Sequence, residues 1–144
     1  MLNRELARQL VEAGLPWNPA EHDMFMIPDA GFDQKVFIIS ESTAQVQRLA
    51  GVPHITFHGS SEWALDHIRV GDVIWLPNET QLRLALEERR PNAVYVLERR
   101  PEGYRCLLAN AAGNGQFHAS AEDAYAVALL HVLRADADRP SEPS

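Results

Sequence analysis

The sequence is poor in cysteine and in positive charge. Its 144 residues include one cysteine, Cys106, so an intramolecular disulfide and a cysteine-based metal cluster are both excluded. The 13 Lys and Arg side chains are outnumbered by 20 Asp and Glu, which gives a formal net charge of −7. This balance argues against nucleic acid or anionic membrane as a default partner, because both are recognised through phosphates that Lys and Arg neutralise.

Long apolar runs are also missing. No window approaches the roughly 18 apolar residues of a membrane-spanning helix. The N-terminal segment MLNRELARQLVEAG has no apolar stretch of the kind found in signal peptides. We therefore expect a cytoplasmic protein with no membrane partner. The phosphate-loop pattern G-x-x-x-x-G-K-[ST] is absent as well, which argues against an ATPase of the phosphate-loop type.

The overall composition is that of a globular domain. The hydrophobic fraction of 46% and the charged fraction of 23% lie in the usual range for soluble domains. We expect a single globular domain over residues 1–134. The last segment, ADADRPSEPS, is polar and contains two prolines, so residues 135–144 are predicted to be a disordered tail.

Helices are predicted where apolar residues recur at helical spacing next to capping residues. The three clear segments are residues 2–13, followed by Gly14; residues 79–90, capped by Asn78 with Gln81; and residues 121–134, capped by Ser120. The last is apolar almost all round, so we expect it to be the most buried helix. A short fourth helix is predicted for SSEWALDHI, residues 60–68.

Strands are predicted for short apolar runs that turn-forming residues separate. These runs are residues 24–27, 35–40, 45–50, 54–58, 72–77, 94–100, 104–110 and 116–120. The connections are too short for parallel crossovers, so they predict antiparallel meanders over residues 24–58 and 94–119. The predicted fold class is α+β: a single domain of antiparallel β meanders packed with three to four helices.

The segment HITFHGSSEWALDH, residues 54–67, concentrates residue types that bind zinc or transfer protons. Its candidates are His54, His58, Glu62, Asp66 and His67. On one strand His54 and His58 lie about 13 Å apart, so they cannot share a zinc ion. We favour a strand with one wet face followed by a capped helix. A small metal-dependent or acid/base hydrolase centred on this segment is the alternative.

Cys106 is the candidate nucleophile. The expected register of the third strand places Ala119 opposite Cys106 and Phe117 opposite Leu108. His118 would then point away from Cys106, which argues against a Cys–His dyad. We expect Cys106 to be a small core residue.

Tryptophans and arginines are the candidate contact residues. Trp17, Trp63 and Trp75 are expected at the edge of the core, with each indole N–H hydrogen-bonded. Trp17 is the best exception, because a proline-stiffened elbow would present it to a partner or let it act as a lid. The arginines that could form a basic patch are Arg83, Arg89, Arg90, Arg99, Arg100 and Arg105. Glutamates are interleaved with them, which favours a solvated face of mixed charge.

Four segments together resemble a known family: LVEAGLPWNP, GSSEWALD, WLPNETQL and ALLHVLR. That family contains small uncharacterised bacterial proteins, some automatically labelled pilus assembly protein, and it has distant phage-borne relatives. The resemblance spans residues 2–134 and implies no established activity, cofactor or catalytic residue. The histidines of residues 54–67 are not part of the shared pattern.

The sequence therefore predicts a non-enzymatic cytoplasmic interaction or accessory domain that binds another protein or itself. We recognise no convergent set of nucleophile, base and oxyanion donors, so no catalytic residue, cofactor or metal ligand is assigned. An unpaired sheet edge would suit a homodimer. RNA or DNA binding through the arginines is a third interpretation, and it predicts affinity that falls steeply with salt.

Overall fold

The computed structural model describes residues 1–28, 35–40, 44–57, 67–109 and 115–139. Within them lie three α-helices, one 3-10 helix (Val70–Asp72) and eight strands, and all strand pairings are antiparallel. The elements are α1 (Arg4–Glu12), β1 (Met24–Met26), β2 (Phe37–Ile38), β3 (Ala44–Leu49), β4 (Val52–Phe57), β5 (His67–Arg69), β6 (Ile74–Leu76), α2 (Glu79–Arg89), β7 (Tyr95–Arg100), β8 (Gly103–Leu108) and α3 (Ala121–Ala137). The predicted α+β class is confirmed.

The chain divides into two compact units. Met1–Leu15 and Asn78–Ser144 form the first unit, and Pro16–Pro77 forms the second. The three α-helices and the β7–β8 pair belong to the first unit, and the other six strands belong to the second. The assignment of residues 1–134 to one globular domain stays a prediction.

Helix α3 is the centre of the first unit. Ten of its residues are buried, as its apolar sequence predicts, and it contacts α1, α2 and β8. Its cap is Ser120, whose Oγ accepts a hydrogen bond from the N–H of Asp123 (3.1 Å). Oδ1 of Asp123 accepts in turn from the N–H of Asn3 (2.7 Å), and Asn3 caps α1 through Glu5 and Leu6. One connected set of polar contacts therefore holds the starts of both helices.

The end of α3 differs from the prediction. The helix continues to Ala137, past the expected end at residue 134. Arg90, at the end of α2, binds Asp136 with both terminal nitrogens, Nη2 to Oδ1 at 2.6 Å and Nη1 to Oδ2 at 3.2 Å. A bidentate pair of this kind orders the last turn. Residues 135–137 of the predicted tail are thus helical, and residues 140–144 lie outside the described residues.

Helix α2 begins as its sequence predicts. Oδ1 of Asn78 accepts from the N–H of Gln81 (2.8 Å), and Oε1 of Gln81 accepts from the N–H of Asn78 (2.9 Å). Together these two bonds form the predicted capping box. Leu82 and Leu86 are fully buried, and the helix packs against α3.

Strands β7 and β8 form a two-stranded sheet. Their register runs from Tyr95 opposite Leu108 to Arg100 opposite Gly103. The predicted third strand, residues 116–120, is not formed: His118 makes a single bridge to Tyr104 instead. The predicted three-stranded meander is therefore a hairpin with one additional bridge.

The second unit contains two three-stranded sheets, with the orders β2-β1-β6 and β3-β4-β5. The four strands expected over residues 24–58 are thus divided between two sheets instead of following one another in one. The predicted strand at residues 72–77 is present as β6. It pairs with β1, with Met24 opposite Leu76 and Met26 opposite Ile74. This pairing joins segments far apart in sequence, where local turn signals give no information.

An aromatic cluster forms the core of the second unit. The side chain of Phe25 is fully buried, and its ring centroid lies 6.1 Å from Trp17, 5.4 Å from Phe37 and 6.4 Å from Phe57. The other buried residues of this cluster are Ile27, Ile39, Ala44, Ile55 and Val73.

The predicted helix over residues 60–68 is wrong at its end. His67 and Ile68 belong to strand β5, and residues 58–66 lie outside the described residues. Ile68 lies opposite the fully buried Ile55 and packs against the same core. This apolar contact with a neighbouring strand outweighs the weak local helix signal.

Candidate functional site

The structure brings together two of the five candidate site residues of the segment 54–67. His54 lies on β4 and His67 on β5, and their ring centroids are 5.2 Å apart with the ring planes inclined at 66°. In the register, Arg69 lies opposite His54 and His67 lies opposite Thr56. The histidines are therefore diagonal neighbours on the sheet face opposite to that of Ile55.

The sequence does not reveal this pair, because it places His67 on a helix. The other three candidates, His58, Glu62 and Asp66, lie outside the described residues. In the described part of the chain, no group of three or more His, Cys, Asp and Glu side chains is arranged to hold a metal ion. The hydrolase centred on residues 54–67 therefore stays a prediction.

His54 has a defined ring orientation. Its Nδ1 lies 2.9 Å from the carbonyl oxygen of Val52. A carbonyl only accepts, so Nδ1 carries the hydrogen and Nε2 of the neutral ring carries the lone pair.

Cys106 is a core residue, as predicted. Its side chain is buried, and this burial raises the pKa of the thiol to about 11. The thiol is therefore protonated at neutral pH, whereas a nucleophilic cysteine needs the thiolate.

The predicted register around Cys106 is wrong, because His118 pairs with Tyr104 of β8. His118 therefore lies on the face of the hairpin that carries Tyr104 and Cys106, instead of pointing away from Cys106. Phe117 consequently contacts the other face of the hairpin, where the Arg105 guanidinium lies 4.6 Å from its ring centroid. The alternation of the sequence had predicted Phe117 on the opposite face. Its cation–π contact with Arg105 stabilises the observed position.

We expect the Cys106 thiol of the folded protein to react slowly with a disulfide reagent such as dithionitrobenzoate at pH 8. Burial removes both access and thiolate character, so the rate should lie at least about tenfold below that of the unfolded chain. Absorbance at 412 nm in buffer and in 6 M guanidinium measures the two rates. Equal rates would show that Cys106 is accessible, contrary to the structure.

Trp17 is half-buried and packs against the aromatic cluster of the second unit, and its role as a partner contact or lid stays a prediction. Its indole N–H donates to Oδ2 of Asp23 (2.9 Å), and its ring stacks on Trp75 at 6.0 Å and 8°. The predicted place at the edge of the core is therefore correct for both rings. The prediction that each indole N–H is hydrogen-bonded is correct for Trp17 but wrong for Trp75, whose N–H is buried without a partner among the described residues. Trp63 lies outside them.

The arginines are largely neutralised by neighbouring carboxylates. Glu98 binds both Arg105 (2.8 Å) and Arg100, and these partners lower the pKa of its carboxyl. The remaining pairs are Arg83 with Glu87 at 3.3 Å, and Arg90 with Asp136. Four of the six candidate arginines are thus in mixed-charge contacts, three of them with the interleaved glutamates Glu87 and Glu98. RNA or DNA binding through the arginines stays a prediction.

Strand β7 has an open edge, which the sequence does not locate. The N–H of Ala109 donates to the carbonyl of Val94 (2.9 Å). Antiparallel pairing alternates, so the N–H and C=O groups of Tyr95, Leu97 and Arg99 point away from β8. Among the described residues no strand pairs with this edge.

Apolar side chains lie beside this edge. Val94, which immediately precedes β7, and Val96 of β7 lie on one face and are 70% and 55% exposed. Arg99, on the other face, is exposed and forms no ion pair within the described residues. The alternate spacing of Val94 and Val96 in VYVLERR indicates that the two side chains share one face of a strand. It does not show whether that face is exposed or buried.

Known proteins offer no comparison: no protein-family model matches the chain, and no curated protein or solved structure shows significant similarity to it. None of the helices in the described residues is both long and apolar enough to span a bilayer.

Proposed function

We propose that this chain is a non-enzymatic cytoplasmic interaction domain that binds an extended segment of another protein along β7. The observation that carries this proposal is the open β7 edge beside the exposed Val94 and Val96. Membership in the family of small bacterial proteins that the sequence resembles stays a prediction and carries none of the argument.

The backbone supports binding of a strand. Tyr95, Leu97 and Arg99 each direct one donor and one acceptor outward, at the spacing that a partner strand needs. Natural proteins protect such edges with bulges, prolines or inward-pointing charges. Strand β7 has none of these between residues 94 and 97, so its N-terminal half is ready to pair. An added strand would gain main-chain hydrogen bonds, which give affinity with little dependence on sequence.

The side chains supply the selectivity. Val94 and Val96 lie on one face and would contact apolar residues at alternate positions of the added strand. Arg99 is exposed and forms no ion pair within the described residues, so it would favour a carboxylate near one end of the added strand. We therefore infer a partner segment with two alternating apolar residues and an acidic residue beyond them.

A matched pair of variants, Arg99→Pro and Arg99→Ala, tests this proposal. Proline removes an N–H that points to the open edge and that makes no bond to β8, so the hairpin should survive, as edge strands tolerate proline. Alanine removes the charge and keeps the N–H. We expect Arg99→Pro to weaken capture of the host partner about tenfold or more, because the facing carbonyl loses its donor. Arg99→Ala should retain most of the binding.

Quantitative mass spectrometry of material captured by tagged protein from its own host measures the effect, and thermal melting confirms that both variants fold. Concentration-dependent sedimentation shows whether the captured chain is a second copy. Equal capture by wild type and Arg99→Pro would contradict binding at the β7 edge.

A further inference from the structure

We propose that His54 and His67 form a binding site for a late divalent transition-metal cation such as Zn²⁺, on the face of the β3-β4-β5 sheet. This site lies in the Pro16–Pro77 unit and is independent of the function proposed for β7. The inference rests on the distance between the rings, the hydrogen bond that His54 donates to Val52, and the charges around the pair.

The ring separation suits a shared ion. Each metal–nitrogen bond is about 2.0–2.1 Å long, so two imidazoles on one tetrahedral ion have their ring centroids about 5 Å apart. The observed separation is 5.2 Å. The pair lies on the adjacent strands β4 and β5, so the sheet backbone holds the two rings at this separation.

His54 is already oriented as a ligand. The bond from its Nδ1–H to the Val52 carbonyl leaves Nε2 with a free lone pair. Histidine ligands in proteins commonly make this second contact, because it fixes the tautomer and the ring orientation. His67 is exposed at the start of β5 and is therefore free to turn toward the same point.

Among the described residues, the charges around the pair do not oppose a cation. The nearest positive side chain in the register is Arg69, opposite His54. Its Nε lies 3.1 Å from Oδ2 of Asp72, so a carboxylate offsets its charge. Gln47, opposite His54 on the other side, is neutral. The chain as a whole carries a net charge of −7.

Two imidazoles favour nitrogen-binding metals over Mg²⁺ and Ca²⁺, which take oxygen ligands. Water would complete the coordination, because the described residues offer no third His, Cys, Asp or Glu there. We expect affinity to rise from Ni²⁺ to Cu²⁺ and to be lower for Zn²⁺ than for Cu²⁺, in the usual order for such sites.

Titration calorimetry of tag-free protein with Zn²⁺, Cu²⁺ and Mg²⁺ tests the site. His54→Ala and His67→Ala should each weaken Zn²⁺ binding by at least about tenfold, since one of two protein ligands is lost. His131→Ala, on the exposed side of α3, is the matched control and should bind like wild type. Zn²⁺ should also raise the melting temperature of wild type, and a chelator should reverse the increase.

Melting without metal separates folding from binding. His67→Ala is expected to melt like wild type, because the side chain is exposed, and to lose the increase that Zn²⁺ causes. Unchanged Zn²⁺ binding in either His54→Ala or His67→Ala, or no binding by wild type at about 1 mM Zn²⁺, would overturn the proposal.

Discussion

Replacing Gly103 with alanine should destabilise the first unit by about 3 kcal/mol. Gly103 begins β8 with φ at +130°, a conformation that L side chains rarely adopt. A Cβ built there would lie 2.2 Å from the carbonyl oxygen of His118 and 3.1 Å from its carbonyl carbon. The contact is with backbone, so no side-chain rotation relieves it.

The clash has a structural consequence beyond strain. The N–H of Tyr104 donates to that same His118 oxygen (2.8 Å), and the N–H of His118 donates back to Tyr104 (2.6 Å). Moving residue 118 away from the new methyl group would therefore break both bonds of the bridge. These bonds hold the segment that leads into Ser120, the cap of α3, so the start of the most buried helix should also loosen.

Gly14→Ala is the matched control for Gly103→Ala. Gly14 lies in the same unit with φ at +90°, but nothing lies within 4 Å of a Cβ added there. Gly14→Ala should therefore lower the free energy of unfolding only through backbone strain, by about 1 kcal/mol. Urea denaturation followed by circular dichroism measures both. Equal losses for the two variants would show that the close approach of His118 to β8 is absent.

Replacing Phe25 with alanine should cost about 3–5 kcal/mol in the second unit. The ring is fully buried and contacts three other aromatic rings, those of Trp17, Phe37 and Phe57. Its removal leaves a cavity bordered by rigid rings, which collapse poorly around a lost side chain. Strand β1 is also the middle strand of its sheet, so its loosening affects both β2 and β6.

Ile38→Ala provides the comparison for Phe25→Ala. Ile38 is on the adjacent strand β2, and its side chain is 50% exposed. Its loss should cost about 0.5 kcal/mol or less. Tryptophan fluorescence during urea unfolding reports on this unit, because Trp17 and Trp75 stack beside Phe25. A loss below about 1 kcal/mol for Phe25→Ala would contradict the central place of this ring.

Local signals in the sequence were sufficient for the three α-helices, apart from the end of α3, and for one hairpin. Asn78 with Gln81, and Ser120, mark the two helix starts because a side chain bonds its own neighbouring backbone. The hairpin at residues 95–108 is likewise fixed by alternation and a two-residue turn. In each case the interacting groups lie within a few residues of one another.

Contacts between distant segments were not predictable in the same way. The pairing of β6 with β1 and the bridge from His118 to Tyr104 depend on which surfaces meet in the folded chain. The inward packing of Trp17 depends on Asp23 and Trp75, which its own sequence neighbourhood does not specify. Candidate sites were missed for the same reason, since both the His54–His67 pair and the open edge of β7 arise from strand pairing.

Hydrogen exchange along β7, followed by NMR, tests most directly whether its edge binds a partner strand. In dilute free protein the amides of Leu97 and Arg99 should exchange rapidly, while those of Val96 and Glu98, directed toward β8, should be protected. In the complex with the captured partner, Leu97 and Arg99 should become protected too. Unchanged rapid exchange of these two amides in the complex would show that the partner binds elsewhere.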